Sequence, residues 1–150
     1  LARAEEPEKI DWKKDGKWSH LVPYIGTYEY DAVLNDKDVK AELAKILKGQ
    51  DVDLAKELQV KDPIAFISDC LTMGGNQEHE ADTHRAYLEV CINQGSVRLA
   101  VFNKGKITVY SRFDNYQYLS RDMKIWIYMQ NNDATLETQP DNVQLAVQPK

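Results

Sequence analysis

The sequence predicts an α+β domain, in which an antiparallel β-sheet of four to five strands carries helices on one face and a protruding hairpin loop. Two observations support this class. Between residues 64 and 112, runs rich in β-branched and aromatic residues alternate with Gly- and Asn-containing turns, as in hairpin-linked strands. On both sides of this region, apolar residues recur at helical spacing instead.

The N-terminal segment, residues 1–21, mixes charges of both signs and has few apolar anchors, so we expect a flexible arm. Its first residues, 1–4, end in an A-x-A pattern before Glu5, which is typical of the end of a secretory signal. Two cysteines that fit a bridge favour the same oxidising compartment. We therefore expect a periplasmic or secreted protein.

The helices are predicted from capping residues and periodicity. A first helix opens at Asp36 and ends at Gly49, and a shorter one covers residues 52–58. Ser120 can cap a closing helix. Residues 22–130 thus form a single domain, and residues 131–150 form a polar tail or, through alternating Val143, Leu145 and Val147, an edge strand.

Strand parity fixes the first hairpin, between the runs at residues 64–73 and 86–92. If Cys70 lies opposite Cys91, then Leu71 faces Val90, and one face of the hairpin becomes apolar while the other becomes polar. Directly opposed antiparallel residues are close enough for a disulfide. We therefore predict a Cys70–Cys91 bridge on the polar face, with two free thiols as the alternative.

The same parity argument extends to the next two turns. Pairing Ile92 with Val97 keeps the aliphatic residues of the second and third strands on one face. At the last turn, a three-residue loop with Gly105 in a left-handed bulge would keep Ile107 and Val109 on that face too. Gly105 is thus predicted to be a structural turn residue.

The polar loop at residues 74–85 carries the candidate functional residues. Carboxylates and imidazoles cluster there within a short stretch, and the candidate partner-binding residues are Asn76, Gln77, Glu78, His79, Glu80, Asp82 and His84. Their spacing matches no standard metal site, and the sequence contains no phosphate-binding loop, catalytic motif or cofactor signature. We therefore expect no enzyme activity, metal or cofactor, and a loop that inserts into a partner.

The order of these elements resembles the Ivy-type family of periplasmic inhibitors of vertebrate (c-type) lysozyme. The resemblance covers roughly residues 22–128 and rests on Tyr24-Ile25-Gly26-Thr27-Tyr28, the two helices, the histidine-bearing hairpin and the closing helix with Trp126. In that family the loop reads Cys-x-Pro-His-x-Cys, and its histidine enters the lysozyme active-site cleft. The resemblance places His79 at that histidine, with Asn76 and Ala81 at the cysteines and Glu78 at the proline.

Three functional interpretations follow. The first is an exported, non-enzymatic inhibitor that plugs a lysozyme or a similar wall-cleaving hydrolase with residues 74–85. The second keeps the fold but binds another protein, for example as an immunity protein against a secreted toxin. The third is an enzyme or metal-binding protein that uses His79 and His84.

Charge and surface residues narrow the partner class. A net charge of -5 and a pI near 5.2 argue against nucleic acid and suit a basic protein. No run is long and apolar enough to span a membrane. The polar face of the sheet, with Phe102, Tyr110, Arg98 and Arg112, could serve a homodimer or another partner.

Overall fold

The computed structural model describes residues 17–131 and 135–146, so the expected signal remnant and most of the expected arm lie outside the described residues. A 3-10 helix at Ser19–Tyr24 is followed by three α-helices, α1 (Tyr30–Leu34), α2 (Lys37–Leu47) and α3 (Leu54–Glu57). A short 3-10 turn at Tyr116–Tyr118 precedes α4 (Arg121–Gln130). Within the described ranges, no helix is long and apolar enough to cross a membrane.

The strands form one mostly antiparallel sheet, which has seven members over the described residues rather than four to five. They are β1 (Val60–Lys61), β2 (Ala65–Ile67), β3 (Cys70–Asn76), β4 (His84–Cys91), β5 (Ser96–Asn103), β6 (Lys106–Tyr110) and β7 (Val143–Ala146). The order is β1-β3-β4-β5-β6-β7, and β2 shares the outer side of β3 with β1. β7 runs parallel to β6, so the chain between them, which includes α4, forms a crossover connection. This connection ends at the far edge of the sheet, where β7 lies. The α+β class is confirmed.

The helix ends follow the predicted capping chemistry. Asp36 caps α2 by accepting hydrogen bonds from the backbone N–H groups of Asp38 and Val39, and Ser120 caps α4 through Met123 N–H. After α2, Lys48 and Gly49 both take positive φ values, of 43° and 74°, which ends the helix. These helices therefore lie where the sequence places them.

The predicted disulfide is confirmed. Cys70 and Cys91 are bonded, and Cys70 pairs with Cys91 in the β3–β4 ladder in the register that parity gave. The first predicted run is nevertheless two strands, because Ser68 and Asp69 both take positive φ and turn the chain sharply between β2 and β3. Neither residue of this turn is a glycine, so the sequence did not reveal the turn.

The next two registers differ from the expectation. Val90 pairs with Val97 instead of Leu99, a shift of two residues that preserves the facing of every side chain. At the following turn, Val101 pairs with Thr108 rather than Ile107, because Lys104 and Gly105 form a plain two-residue turn with φ of 50° and 87°. Gly105 does take the left-handed conformation, but in this turn and not in a bulge.

That last register places Ile107 and Val109 on the second face of the sheet, and the structure buries them there. The expectation of helices on one face was too simple, since α1 and α2 cover the first face while α4 covers the second. The second core cluster contains Tyr87, Ala100, Phe102, Ile107, Val109, Tyr116, Leu119, Met123, Ile127 and Val143. Burial of aliphatic side chains on both faces of the sheet therefore stabilises the fold.

Most of the expected partner surface on the polar face is covered by the chain itself, whereas Arg112 stays exposed and pairs with Glu42 of α2. Phe102 is buried beneath α4, and Tyr110 belongs to the core of the first face. The side chain of Arg98 is only 11% exposed and lies 3.2 Å from the carboxylate of Glu89. The polar residues around Glu89 on this face are paired with one another, which the alternation of the sequence could not reveal.

Candidate functional site

The hairpin loop is shorter than the sequence indicated. Gly74, Gly75 and Asn76 belong to β3, and His84 already belongs to β4. Only residues 77–83 connect the two strands outside the ladder. The loop is therefore a compact turn at the end of a paired hairpin.

Backbone hydrogen bonds within the loop define its shape. Gln77 N–H donates to His84 O at 3.1 Å, which closes the base, and His84 N–H donates to Glu80 O at 2.9 Å. Glu80 N–H and Thr83 N–H donate to Gln77 O and Glu80 O, both at 3.1 Å. Most of the turn is thus fixed by its own backbone.

The base of the loop is attached to the segment around α3. Gln77 is buried, and its amide donates to a carboxylate oxygen of Glu57 at 2.8 Å. Glu78 N–H donates to the side-chain oxygen of Gln59 at 3.0 Å. These two contacts hold the first half of the loop against a second part of the chain.

A close backbone approach at Gly75 strengthens this attachment. A Cβ atom at Gly75 would lie 2.0 Å from the carbonyl oxygen of Val60, so only glycine fits beside β1. The sequence suggested that Gly74 and Gly75 belong to the loop. In the structure, Gly75 instead lets β1 pair with the root of the hairpin.

The tip of the loop is His79. Its side chain is 90% exposed, and its φ of 63° is a left-handed conformation in which histidine is enriched among non-glycine residues. Its Nε2 lies 3.5 Å from a carboxylate oxygen of Glu78, which is also exposed. Glu80 and Asp82, in the same turn, are also exposed.

The other candidate residues serve the loop from within. The side chain of His84 is only 15% exposed, and its Nδ1 lies 2.8 Å from Thr83 Oγ1 and 3.1 Å from a Glu80 carboxylate oxygen. The Asn76 amide donates to Gln77 O at 2.8 Å. The structure therefore separates exposed Glu78, His79, Glu80 and Asp82 from inward-facing Asn76, Gln77 and His84.

Sequence reasoning missed Glu57, Gln59 and Gly75, which support the loop from outside it. Glu57 ends α3 and Gln59 follows it, and neither carries a signal that connects it with a hairpin about twenty residues away. In the described ranges, no group of three His, Cys, Asp or Glu side chains is placed to hold a metal ion. The loop therefore presents an exposed tip on a base that is hydrogen-bonded to the rest of the chain.

The chain matches the family model described as inhibitor of vertebrate lysozyme (Ivy) over residues 38–144. This range includes all but the first residue of α2, the whole hairpin and the first half of β7. The search of curated proteins found no match, and neither did the search of solved structures.

Proposed function

The chain belongs to the Ivy family, the inhibitors of vertebrate lysozyme, and from this membership we propose that it is an exported, non-enzymatic inhibitor of a c-type lysozyme or a related wall-cleaving hydrolase. The hairpin tip, defined as residues 78–82, enters the active-site cleft of the enzyme. The observation that carries this proposal is the exposed imidazole of His79 on a turn whose base is fixed.

The turn is well suited to insertion because it needs little ordering. Backbone bonds between Gln77, Glu80 and His84 already set its conformation, and α3 supports its base through Glu57. A binding element that is rigid before association loses less conformational entropy when it binds. A narrow convex tip also complements a concave enzyme site.

Charge supports a basic partner. The protein carries a formal net charge of -5, and the tip presents the carboxylates of Glu78, Glu80 and Asp82 beside His79. Complementary charges accelerate association with a basic hydrolase and make it sensitive to salt. The rate of association with the hydrolase should therefore fall as ionic strength rises.

The support of the tip replaces the loop disulfide of the resembled pattern. Asn76 and Ala81 occupy the positions of its cysteines, while the Cys70–Cys91 bridge lies lower in the same hairpin. Hydrogen bonds from Gln77 and Glu78 to the segment around α3 hold the start of the loop. A rigid tip is thus compatible with the altered sequence.

The test measures cell-wall hydrolysis by a c-type lysozyme with increasing amounts of this protein. We expect inhibition at micromolar concentration, and we expect His79→Ala to weaken it tenfold or more, equivalent to about 1.4 kcal/mol. His20→Ala is the matched control because it removes another exposed imidazole, on the 3-10 helix before α1.

Two outcomes would contradict the proposal in different ways. Full lysozyme activity with micromolar wild-type protein rejects lysozyme as the target and leaves the same fold with another partner, such as a secreted toxin. Equal inhibition by the His79→Ala and His20→Ala proteins would keep the inhibitor but reject the hairpin tip as the inserted element. Export is tested separately by fractionating the native cells and locating the protein with an antibody.

A further inference from the structure

A surface cleft lies on the second face of the sheet, beside α4 and below the root of the hairpin. It has a volume of about 360 Å³. The cleft is lined by residues from the β1–β2 connection, β3, β4 and α4, among them Asp62, Thr72, Gly74, Arg85, Tyr87 and Trp126. Neither the proposed inhibitor function nor the buried core uses this space.

The cleft exists because the face of β3 is not covered. The core beneath α4 takes side chains from β4, β5 and β6, but none from β3. At the centre, Gly74 pairs with Tyr87 and contributes no side chain, and a Cβ atom there would lie 3.4 Å from an Asp62 carboxylate oxygen. A small residue therefore keeps the floor of the cleft open.

The floor and one wall are held together by Tyr30. Its buried hydroxyl lies 2.6 Å from Asp62 O and 2.8 Å from Gly74 O, and it accepts a hydrogen bond from Gly74 N–H at 2.9 Å. Because the same hydroxyl contacts the backbone of the β1–β2 connection and of β3, Asp62 is fixed relative to β3. The cleft is therefore preformed rather than created by a loop movement.

The opposite wall is aromatic. The rings of Tyr87 and Trp126 are stacked, with centroids 5.9 Å apart and planes inclined by 14°. Beside them, the guanidinium of Arg85 lies 4.6 Å from the centre of the Phe102 ring. Packing of these flat groups restricts their motion and gives the cleft an apolar side.

Several polar groups of the cleft are uncommitted. Within residues 17–131 and 135–146, the side chains of Asp62, Thr72 and Arg85 form no hydrogen bond or ion pair, and Arg85 Nε is buried without a partner. Buried polar groups are normally satisfied, and Arg85 Nε is an exception, in a guanidinium that packs on the Phe102 ring beside the cleft. A ligand that supplies both donors and acceptors would satisfy this set.

We propose that this cleft binds a pyranose sugar. Sugar hydroxyls can both accept hydrogen bonds, from Arg85, and donate them, to Asp62. The C–H face of the sugar ring packs against the Tyr87–Trp126 pair. A simple anion would be repelled by Asp62, and an apolar ligand would leave the guanidinium unsatisfied. The size of the cleft lies within the range of small-molecule sites.

The site is independent of the proposed inhibitor function, and it is tested on the full chain without any lysozyme. Glucose and N-acetylglucosamine are titrated into the labelled protein while the backbone amides of Gly74 and Arg85 and the indole of Trp126 are followed by NMR. We expect saturable shifts at these groups with a Kd of the order of 1 mM, which is typical of small ligands with few anchoring contacts. Glycine, a zwitterion of opposite charges, is titrated in parallel.

Three variants sharpen the test. Asp62→Ala should weaken sugar binding at least tenfold, whereas Asp141→Ala, an exposed aspartate preceding β7 at the far edge of the sheet, should leave it unchanged. Gly74→Val should abolish binding by filling the floor. Because the Asp62 side chain supports no internal bond within the described ranges, its removal should preserve the melting temperature, which makes this variant decisive even if Gly74→Val unfolds.

The outcomes are separable. Saturable shifts confined to the cleft, together with loss on Asp62→Ala, support the site. Absence of saturation with both sugars up to about 50 mM overturns it, since weaker binding would have no molecular specificity. Binding of glycine in place of the sugars, shifts at other residues, or equal binding by the Asp62→Ala protein would also overturn it.

Discussion

The two faces of the sheet are buried by different chemistry. On the first face, β3, β4 and β5 place Leu71, Leu88 and Leu99 against α1 and α2, and its core cluster is apolar apart from tyrosine hydroxyls. On the second face, the carboxylate of Glu89 is buried beneath α4 among Tyr87, Arg98 and Ser120. The first face is held mainly by apolar packing, with the Tyr30 hydroxyl as a buried polar contact, and the second by packing around a charged network.

The difference teaches what each face contributes. Apolar burial is strong but permits many arrangements, whereas a buried carboxylate needs its particular partners to offset desolvation. Ser120 Oγ lies 2.8 Å from both oxygens of Glu89 and also caps α4. The network therefore fixes the position of α4 on the sheet, and with it the Trp126 side of the cleft.

The largest expected effect comes from breaking the network. Glu89→Ala should lower the free energy of unfolding by about 4 kcal/mol, because Arg98 would remain buried without its carboxylate. Denaturant unfolding monitored by circular dichroism measures this loss.

The double variant Glu89→Leu with Arg98→Met is the control for that measurement. It should recover much of the loss, since an apolar pair leaves no charge unpaired. On the first face, Leu88→Ala should lower the free energy of unfolding by about 3 kcal/mol because it leaves a cavity. No charged partner is left unpaired there, so no second substitution can recover the loss in the same way. A double variant as unstable as Glu89→Ala would show that the two faces do not differ in this way.

A smaller effect distinguishes the helix caps on the two faces. Ser120→Ala should cost about 2 kcal/mol, because it removes both the cap of α4 and a donor to buried Glu89. Asp36→Ala removes the cap of α2, and apart from the cap the Asp36 side chain contacts only the exposed His20. This variant should lower the free energy of unfolding by about 1 kcal/mol. Thermal unfolding of the two variants gives the comparison, and equal losses would contradict it.

The smallest effect is a pH dependence. Burial raises the pKa of Glu89 above its ordinary value of 4.5, although Arg98 acts in the opposite direction. Folding therefore favours the protonated carboxyl, and the contribution of Glu89 to stability is full below pH 4.5 and declines as pH rises through its folded-state pKa.

Comparison with Glu89→Gln isolates this contribution. Across the interval above pH 4.5, the unfolding free energy of the wild-type protein should fall relative to that of the variant. Asp36 and Glu42, whose pKa values are lowered, act with opposite sign at lower pH in both proteins and cancel in the difference. Parallel pH profiles of the two proteins would exclude the effect.

The first face was accessible from the sequence, and the second was not. Alternation located Leu71 opposite Val90 and the two cysteines opposite each other, because a slip of one residue would have exposed an aliphatic row. The same logic failed at Ile107 and Val109, since it assumed a solvated second face. A sheet buried on both sides contains no parity signal at such a turn.

The hairpin tip was predicted in part. The sequence located the cluster of carboxylates and imidazoles and identified His79 as the candidate plug, and that role stays a prediction. Only the family resemblance singled out His79, because two histidines five positions apart look equivalent as residues until the turn brings His84 to Thr83 and Glu80. Long-range support from Glu57 likewise depends on the folded chain.

The contact between Gly75 and the carbonyl of Val60 divides the hairpin into a handle and a head. At position 75 the handle admits no side chain, because the backbone of β1 lies directly against it. In the head, the side chains of Glu78, His79 and Asp82 are exposed, whereas Glu80 also contacts His84. New sequences could therefore be grafted there to redirect the protein toward other clefts while its scaffold stays intact.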